Sequence, residues 1–311
     1  MSKLISIVIP CYNEEENVRA ISDEVINLFS QKLTNYDYDI IFIDNDSKDK
    51  TREILRDLCK NNKKIKAIFN AKNFGQFNSP YYGMLQADGD MIINMACDFQ
   101  DPVYLVEDFV KAWEAGYKIA VAVRDSSADN FMLRTLKTLY YNLIDKFSNI
   151  KQIKMFTGYG LYDRSFIDIL RKLDDPTPFM RGLVAELGFK IKEIRFKQPK
   201  RRAGKTSNNL YTLYDAAMLS FTSYTKVGLR LVTLFGAITM FISFIIGIVY
   251  LIMKLLYWDR FEAGMIPLLL AVLFLGSVQI LFLGMVGEYV LSINQRVMKR
   301  PLVIEEERIN F

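Results

Sequence analysis

LISIVI, residues 4–9, is a run of β-branched and apolar side chains that stops at Pro10. A short apolar run closed by a proline reads as a buried strand, because β-branched side chains pack well on a pleated surface and proline cannot continue the ladder. Runs of the same character recur at 40–43 (IIFI), 65–69 (IKAIF), 91–95 (MIINM) and 118–123 (KIAVAV). Helical periodicity fills the intervals, over about 15–31, 50–60, 77–87 and 103–115. Strands alternating with helices predict an α/β domain with a mostly parallel, covered sheet.

Such sheets bind ligands beyond the carboxyl ends of their strands. The residues just after the apolar runs are polar in four cases: Pro10 to Glu15 (PCYNEE), Asp44 to Asp49 (DNDSKD), Asp98 to Pro102 (DFQDP), and Arg124-Asp125. Any one cluster could serve as a helix cap, with Ser47 or Asp49 well placed ahead of the second helix. Four such clusters on one sheet edge point to a site.

Composition divides the chain of 311 residues near residue 228. Half of the residues are hydrophobic and 24% are charged, a mixture that resolves once two apolar blocks are set apart. Residues 231–253 and 265–287 hold 23 residues each without a charge. Each block would span about 34 Å as a helix, against a hydrocarbon core of about 30 Å. The link between them, KLLYWDRFEAG (254–264), is short and carries Tyr257 and Trp258, which suit an interface. The spacing predicts a transmembrane hairpin. Lys226 and Arg230 flank one end, and Arg296, Lys299 and Arg300 the other, so positive-inside bias puts both termini in the cytosol. Met1-Ser2-Lys3 runs straight into the first strand, so no signal peptide is expected and the large domain is expected to stay cytosolic. The expected organisation is a sheet domain over 1–206, a juxtamembrane interfacial helix over 207–228, two spans within 229–289, and a cytosolic tail over 290–311 that forms a strand or a contact arm. Residues 131–147 and 208–226 are amphipathic and rich in aromatics; the first fits an interfacial or an ordinary core-facing helix equally, and the second, which leads into the first apolar block, reads as interfacial.

With no histidine in the chain, hydrolase mechanisms built on Ser–His or Cys–His pairs are excluded, as are zinc sites that use histidine. Cys11, Cys59 and Cys97 form no CxxC pair and read as reduced, buried thiols. Carboxylates at strand ends without histidine suit a hard divalent cation, Mg²⁺ or Mn²⁺, shared with substrate phosphates. Asp98 and Gln100 lie two apart, and on an extended segment their side chains would point the same way toward one ion. Asp44 and the segment Tyr12 to Glu14 can take hydrogen bonds from a nucleoside. Arg195, Lys197, Lys200, Arg201, Arg202 and Lys205 put six basic residues in eleven, with no acid over 194–214. A nucleic-acid patch is one reading of such a run. Its place just ahead of the first apolar block favours lipid headgroups or a lipid-borne phosphate, and no nucleic-acid partner is expected.

The motifs PCYNEE (10–15), DNDSKDKT (44–51), Asn73-Phe74-Gly75, Gly89-Asp90 and DFQDP (98–102) together resemble inverting family 2 glycosyltransferases with the GT-A fold. With KRRAGKTS (200–207) and the two apolar blocks, the chain is similar over nearly its whole length to the polyprenyl-phosphate glycosyltransferases, among them bactoprenol glucosyltransferases and dolichol-phosphate mannose synthases. The resemblance implies that Pro10, Tyr12, Glu14, Asp44, Asp46, Lys72 and Asn73 hold the nucleoside diphosphate, and that Asp98 and Gln100 hold metal and diphosphate. It implies that Asp98, Arg124, Arg134 and Arg201 form the catalytic set, the arginines binding donor or acceptor phosphate. It also implies a homo-oligomer. Three departures stand out. Ala96-Cys97-Asp98 replaces the family's Asp-x-Asp, Asp44-Asn45 replaces a pair of acids, and Gly158-Tyr159-Gly160 replaces an Asp-Phe-Arg-like stretch. Asp46 and Asp101 are the acids positioned to compensate for the missing one.

The expected reaction is transfer of a hexose, with inversion, from a UDP-sugar to a polyprenyl phosphate at the plasma membrane. A phosphate acceptor is already anionic and needs no strong base, which agrees with a chain lacking histidine. The alternatives are a nucleotide-sugar-binding scaffold without activity, and a processive polysaccharide synthase, which calls for more spans and a Gln-x-x-Arg-Trp-like motif.

Overall fold

The computed structural model describes residues 2–125, 153–199, 201–202, 218, 227–257 and 265–311. The five apolar runs form strands β1 (Leu4–Cys11), β2 (Asp37–Asp44), β3 (Ile65–Asn70), β4 (Met91–Asn94) and β5 (Ile119–Arg124). The predicted helices between them are α1 (Val18–Gln31), α2 (Thr51–Asn61), α3 (Gly75–Gln86) and α4 (Leu105–Glu114). Further elements follow: β6 (Phe156–Asp163), α5 (Arg164–Leu173), α6 (Met180–Glu186), β7 (Ile191–Phe196), two long helices α7 (Val227–Leu256) and α8 (Met265–Val297), and β8 (Glu305–Ile309).

Eight strands make one sheet in the order β7-β5-β6-β4-β1-β2-β3-β8. β1 pairs in parallel with β2 and β4, β2 with β3, and β5 with β7. β6 runs antiparallel between β4 and β5, and β8 antiparallel to β3, so the sheet is mixed. Strand alternation divides the core between the two faces. Ile5, Ile7, Ile9, Ile40 and Phe42 pack with α1, α2 and α4 on one side. Val8, Ile41, Ile43 and Ile68 pack with α3, α5 and α6 on the other. β6 fits between its neighbours because Gly160 lacks a side chain: a Cβ there would lie 2.6 Å from the Ala120 carbonyl oxygen.

The tail forms the strand that was one of its two expected forms. β8 closes the sheet edge beside β3, with Ile309 opposite Ala67 and Arg308 opposite Ile68. Asn310 Nδ2 donates to the carbonyls of Cys59 (2.7 Å) and Ile65 (2.8 Å). Arg56 reaches Glu307 at 2.7 Å.

Helices α7 and α8 touch, with the rings of Phe235 and Phe282 5.6 Å apart. Among the described residues, one stretch, Phe274–Val297, is long and apolar enough to cross a membrane, and Leu234–Val249 is a shorter apolar helical stretch. Many of their described apolar side chains are exposed: Met240 is 71% exposed and Leu283 72%. α8 continues ten residues past the expected limit at 287, and Arg296 in its last turn meets Asp175 of the sheet domain at 3.1 Å. The amphipathic segment 131–147 and, apart from Met218, the segment 208–226 lie outside the described residues.

Candidate active site at the carboxyl edge of the sheet

β1, β2 and β4 are parallel neighbours, so their following loops share one edge. The first two loops are laced together. Asn13 N donates to Ser47 Oγ (2.9 Å), Glu14 N to Thr51 Oγ1 (2.9 Å), and Lys48 N to Asn13 Oδ1 (2.7 Å). Asn13 and Asp46 take left-handed backbone, φ 56° and 67°, a conformation that Asn and Asp tolerate better than most side chains. Tyr12 sits at the rim, 36% exposed.

Glu14 is buried, and Asn17 Nδ2 donates to its Oε2 at 2.6 Å. Burial raises its carboxyl above the ordinary range, against the lowering effect of Asn17 and Arg201. Arg201 bridges the acids from the basic run: its Nη2 donates to Glu14 Oε1, and its Nε lies 3.8 Å from Asp98 Oδ2. Next to it, Arg202 N donates to the Asp98 carbonyl (3.3 Å) and the guanidinium stands 5.0 Å from the centre of the Phe99 ring. Residues far apart in sequence, Glu14, Asp98, Gln100 and Arg201, thus meet at one place.

Asp98 and Gln100 do not lie on an extended segment. β4 ends at Asn94, and Phe99 has φ 62°, so the chain turns. Gln100 N donates to Asp98 Oδ1 at 3.1 Å, an Asx turn that brings the two residues together by a route other than strand alternation. Asp101 is a brace: its buried carboxylate accepts the Ala96 N–H at 2.9 Å, and burial pushes it up to about 7. Asp46 pairs with Lys48 at 2.7 Å. Neither of the acids expected to compensate for Ala96 joins Asp98 in a metal-binding group. Among the described residues, no three Cys, Asp or Glu form a group that could hold a metal ion. One carboxylate with a neighbouring amide fits a divalent ion that takes most of its oxygens from a diphosphate and water.

Asp44 lies fully buried at the end of β2. Its Oδ2 accepts from Arg52 Nε (2.7 Å) and Ser47 N (3.2 Å), while its buried Oδ1 has no hydrogen-bond partner among the described residues. Asn45 explains its own departure from an acid. Its Nδ2 donates to Asn73 Oδ1 (2.9 Å) and the Gly75 carbonyl (3.3 Å), while its Oδ1 accepts from Asn70 Nδ2 (3.1 Å) and Phe74 N (2.9 Å). A carboxylate would set a bare anion against two acceptors. Asn73 Oδ1 also accepts from Gly75 N (2.8 Å), so it braces the loop, and Lys72 Nζ stands 5.1 Å from the Phe74 ring centre. Pro10 does not end the strand as expected: it sits within β1 opposite Ile43, and pairing runs on to Cys11 opposite Asp44. Arg124 ends β5 and donates to Gln198 Oε1 at 3.0 Å, and Arg134 lies outside the described residues. Sequence reasoning missed Arg52 and Glu306, which meet at 2.8 Å, since no local pattern links α2 to a strand 254 residues later.

A family model for glycosyl transferase family 2 matches residues 6–170, more than half of the chain. A Bacillus subtilis protein named as a glycosyltransferase, CsbB, is 33% identical over 98% of this chain and 92% of its own length. A prophage bactoprenol glucosyl transferase homolog of Escherichia coli is 30% identical over 96% of this chain and 97% of its own, and the bactoprenol glucosyl transferase of Shigella phage SfII is 30% identical over 96% of both. Among solved structures, mannosyl-3-phosphoglycerate synthase of Rubrobacter xylanophilus is 16% identical, with a TM-score of 0.48 over 70% of this chain and 71% of that one, a likeness that adds nothing to the assignment. Sequence motifs, family model and full-length relatives agree, and the chain belongs to glycosyl transferase family 2.

Proposed function

We propose that this glycosyltransferase moves a hexose from a UDP-linked donor to a polyprenyl phosphate at the cytosolic face of a membrane, inverting the anomeric centre. The observation that carries the proposal is Arg201. It reaches from the basic run that precedes α7 to Glu14 and Asp98 at the sheet edge. A guanidinium that joins the strand-end acids to the membrane-proximal segment stands between the expected places of donor and lipid acceptor. The relatives named as bactoprenol glucosyl transferases, matched end to end, support the acceptor class.

In this reading, Asp44 Oδ1, buried and without a partner among the described residues, takes a hydrogen bond from the nucleoside, and Tyr12 and Glu14 line its other side. Asp98 and Gln100 would hold Mg²⁺ or Mn²⁺, which when bound offsets the charge growing on the departing diphosphate. Arg201 leaves its carboxylate partners to meet phosphate, an exchange of one anion for another by a planar fork suited to both. Arg124 stands at the next strand end and supports the same charge. The acceptor phosphate attacks unaided by a base, and these residues contribute orientation and charge compensation.

The membrane hairpin is part of the proposal. β8 follows the two helices and pairs with β3, which precedes them, so the chain crosses a bilayer an even number of times in between. That supports two spans, over 231–253 and 265–287, rather than one, with both ends of the chain cytosolic. Two spans also favour the single-transfer enzyme over a processive synthase.

The test uses full-length protein in detergent with UDP-glucose or UDP-N-acetylglucosamine and undecaprenyl phosphate. Asp98→Ala is expected to lower transfer by about a hundredfold or more while melting within about 2 °C of wild type. Arg201→Ala is expected to raise the KM for lipid phosphate about tenfold, the loss of one charge-assisted contact, with a smaller change for the donor. Near-normal turnover by Asp98→Ala would remove the metal site from the account, and unchanged acceptor kinetics would remove Arg201.

A further inference from the structure

The strand that follows the membrane helices is wired to the carboxylate at the end of β2. Arg52, on the first turn of α2, uses its whole fork. Nε donates to Asp44 Oδ2 at 2.7 Å, Nη2 to the Asn70 carbonyl at 2.6 Å, and Nη1 to Glu306 Oε2 of β8 at 2.8 Å. The guanidinium lies 5.6 Å from the centre of the Phe69 ring of β3. Asp44 is fully buried, and Arg52 is its charged partner. With the Asn70 carbonyl on Nη2, Glu306 on Nη1 completes the set of contacts that holds the fork against Asp44. Only residues 298–304 separate the end of α8 from β8. Within them the Ile304 carbonyl already accepts from Ala71 N at 2.9 Å, next to the loop that braces Asn45.

We infer that Arg52 and Glu306 are positioning residues for donor binding: Glu306, delivered by the C-terminal strand, holds Arg52, and Arg52 aims Asp44 so that its free oxygen faces the nucleoside. The donor site is therefore complete only when the chain has returned from the membrane and β8 is in place. Withdrawal of β8, seven residues from α8, loosens Asp44. Neither Arg52 nor Glu306 touches the donor. The inference rests on the proposed role of Asp44 as a nucleoside ligand.

The experiment measures UDP binding, with GDP beside it, by calorimetry on full-length protein in detergent. Wild type is compared with Asp44→Ala, Glu306→Gln, Arg52→Gln and the Arg52→Gln/Glu306→Gln double variant. Asp44→Ala is expected to weaken UDP by about thirtyfold or more, the loss of a buried hydrogen-bonding carboxylate. Glu306→Gln is expected to weaken it about three- to fivefold and Arg52→Gln about tenfold, and the double variant no further than Arg52→Gln alone, since both act through one contact. In turnover, Glu306→Gln raises the donor KM by the same factor while kcat stays within about twofold, a split that a general loss of folded protein does not produce. Should Arg52→Gln fail to fold, Glu306→Gln decides alone, because the Glu306 side chain is 57% exposed and its melting temperature can be checked directly. Binding by wild type, lost in Asp44→Ala but unchanged in Glu306→Gln and Arg52→Gln, overturns the inference and leaves the functional reading standing. Multiplying effects in the double variant overturn it too. Wild type that binds neither UDP nor GDP overturns the functional reading, and the inference with it.

Discussion

Asp163→Ala tests the packing that joins β6 to α4 and β5. Asp163 ends β6 and caps α5, with Oδ1 accepting from Ser165 N at 3.0 Å. Its Oδ2 accepts from Trp113 Nε1 at 2.7 Å and Lys118 Nζ at 3.0 Å, which ties β6 to α4 and to the start of β5. Loss of the cap costs about 1 kcal/mol. A partly buried indole N–H left without its acceptor costs about 1–2 kcal/mol. The ion pair with half-exposed Lys118 adds at most about 0.5 kcal/mol after solvent screening. The total is about 3 kcal/mol, which for a domain of this size lowers the melting temperature by about 6–12 °C. Asp163→Asn keeps an acceptor for the cap but turns an amide toward Trp113 and Lys118, so about half of the loss is expected. The pH dependence has a definite sign. Burial raises the carboxyl, but the bonds from Ser165, Trp113 and Lys118 outweigh it and hold the group below the ordinary carboxylate range. A depressed folded value means that the charged form stabilises the fold above the unfolded value, about 4, and that this contribution disappears as pH falls through the folded value. The gap between wild type and Asp163→Asn is therefore full at pH 7 and narrows below about pH 4. Differential scanning fluorimetry in detergent measures both. An Asp163→Ala protein that melts within about 2 °C of wild type at pH 7 would refute the reasoning.

Gly160→Ala pushes a methyl group into the backbone of β5, 2.6 Å from the Ala120 oxygen and 3.2 Å from Val121 Cα. A loss of about 2–4 kcal/mol is expected, seen as a lower melting temperature or failure to purify, and wild-type melting would contradict it. Asn45→Asp is expected to lose about 2 kcal/mol, because Asn73 Oδ1 and the Gly75 carbonyl face the new anion, and chemical unfolding checks this. Cys11, Cys59 and Cys97 are buried, and burial pushes the Cys59 thiol up to about 11 and the other two well above the ordinary value. Native protein at pH 8 should therefore stay unlabelled by a disulfide reagent for an hour and release three equivalents once unfolded, whereas rapid native labelling would contradict the burial.

The first five strands were legible as apolar runs, four of them followed by polar clusters, and the parallel pairing of β1, β2 and β4 then places their ends together. β6 was not, since FTGYGLYD (156–163) owes its place to close backbone approach at Gly160 rather than to a hydrophobic pattern. β7 (IKEIRF) is an edge strand whose charges merge with the basic run. β8 (EEERI) has no apolar face to read, because its partners are Arg52 and Arg56 on α2 and the backbone of β3. Alternation was the wrong argument for Asp98 and Gln100, since one left-handed residue, Phe99, converts the segment to a turn. Asn45 looked like a defect in a pair of acids until its four hydrogen bonds showed that an amide suits the place.

The proposed reaction passes one sugar from nucleotide to lipid phosphate. Purified full-length protein, labelled UDP-hexoses, Mg²⁺ or Mn²⁺ and undecaprenyl phosphate should give label in a lipid carrying a single sugar, with one UDP released per sugar transferred. Label in a polymer, or no lipid-linked product with any donor and either metal, would contradict it.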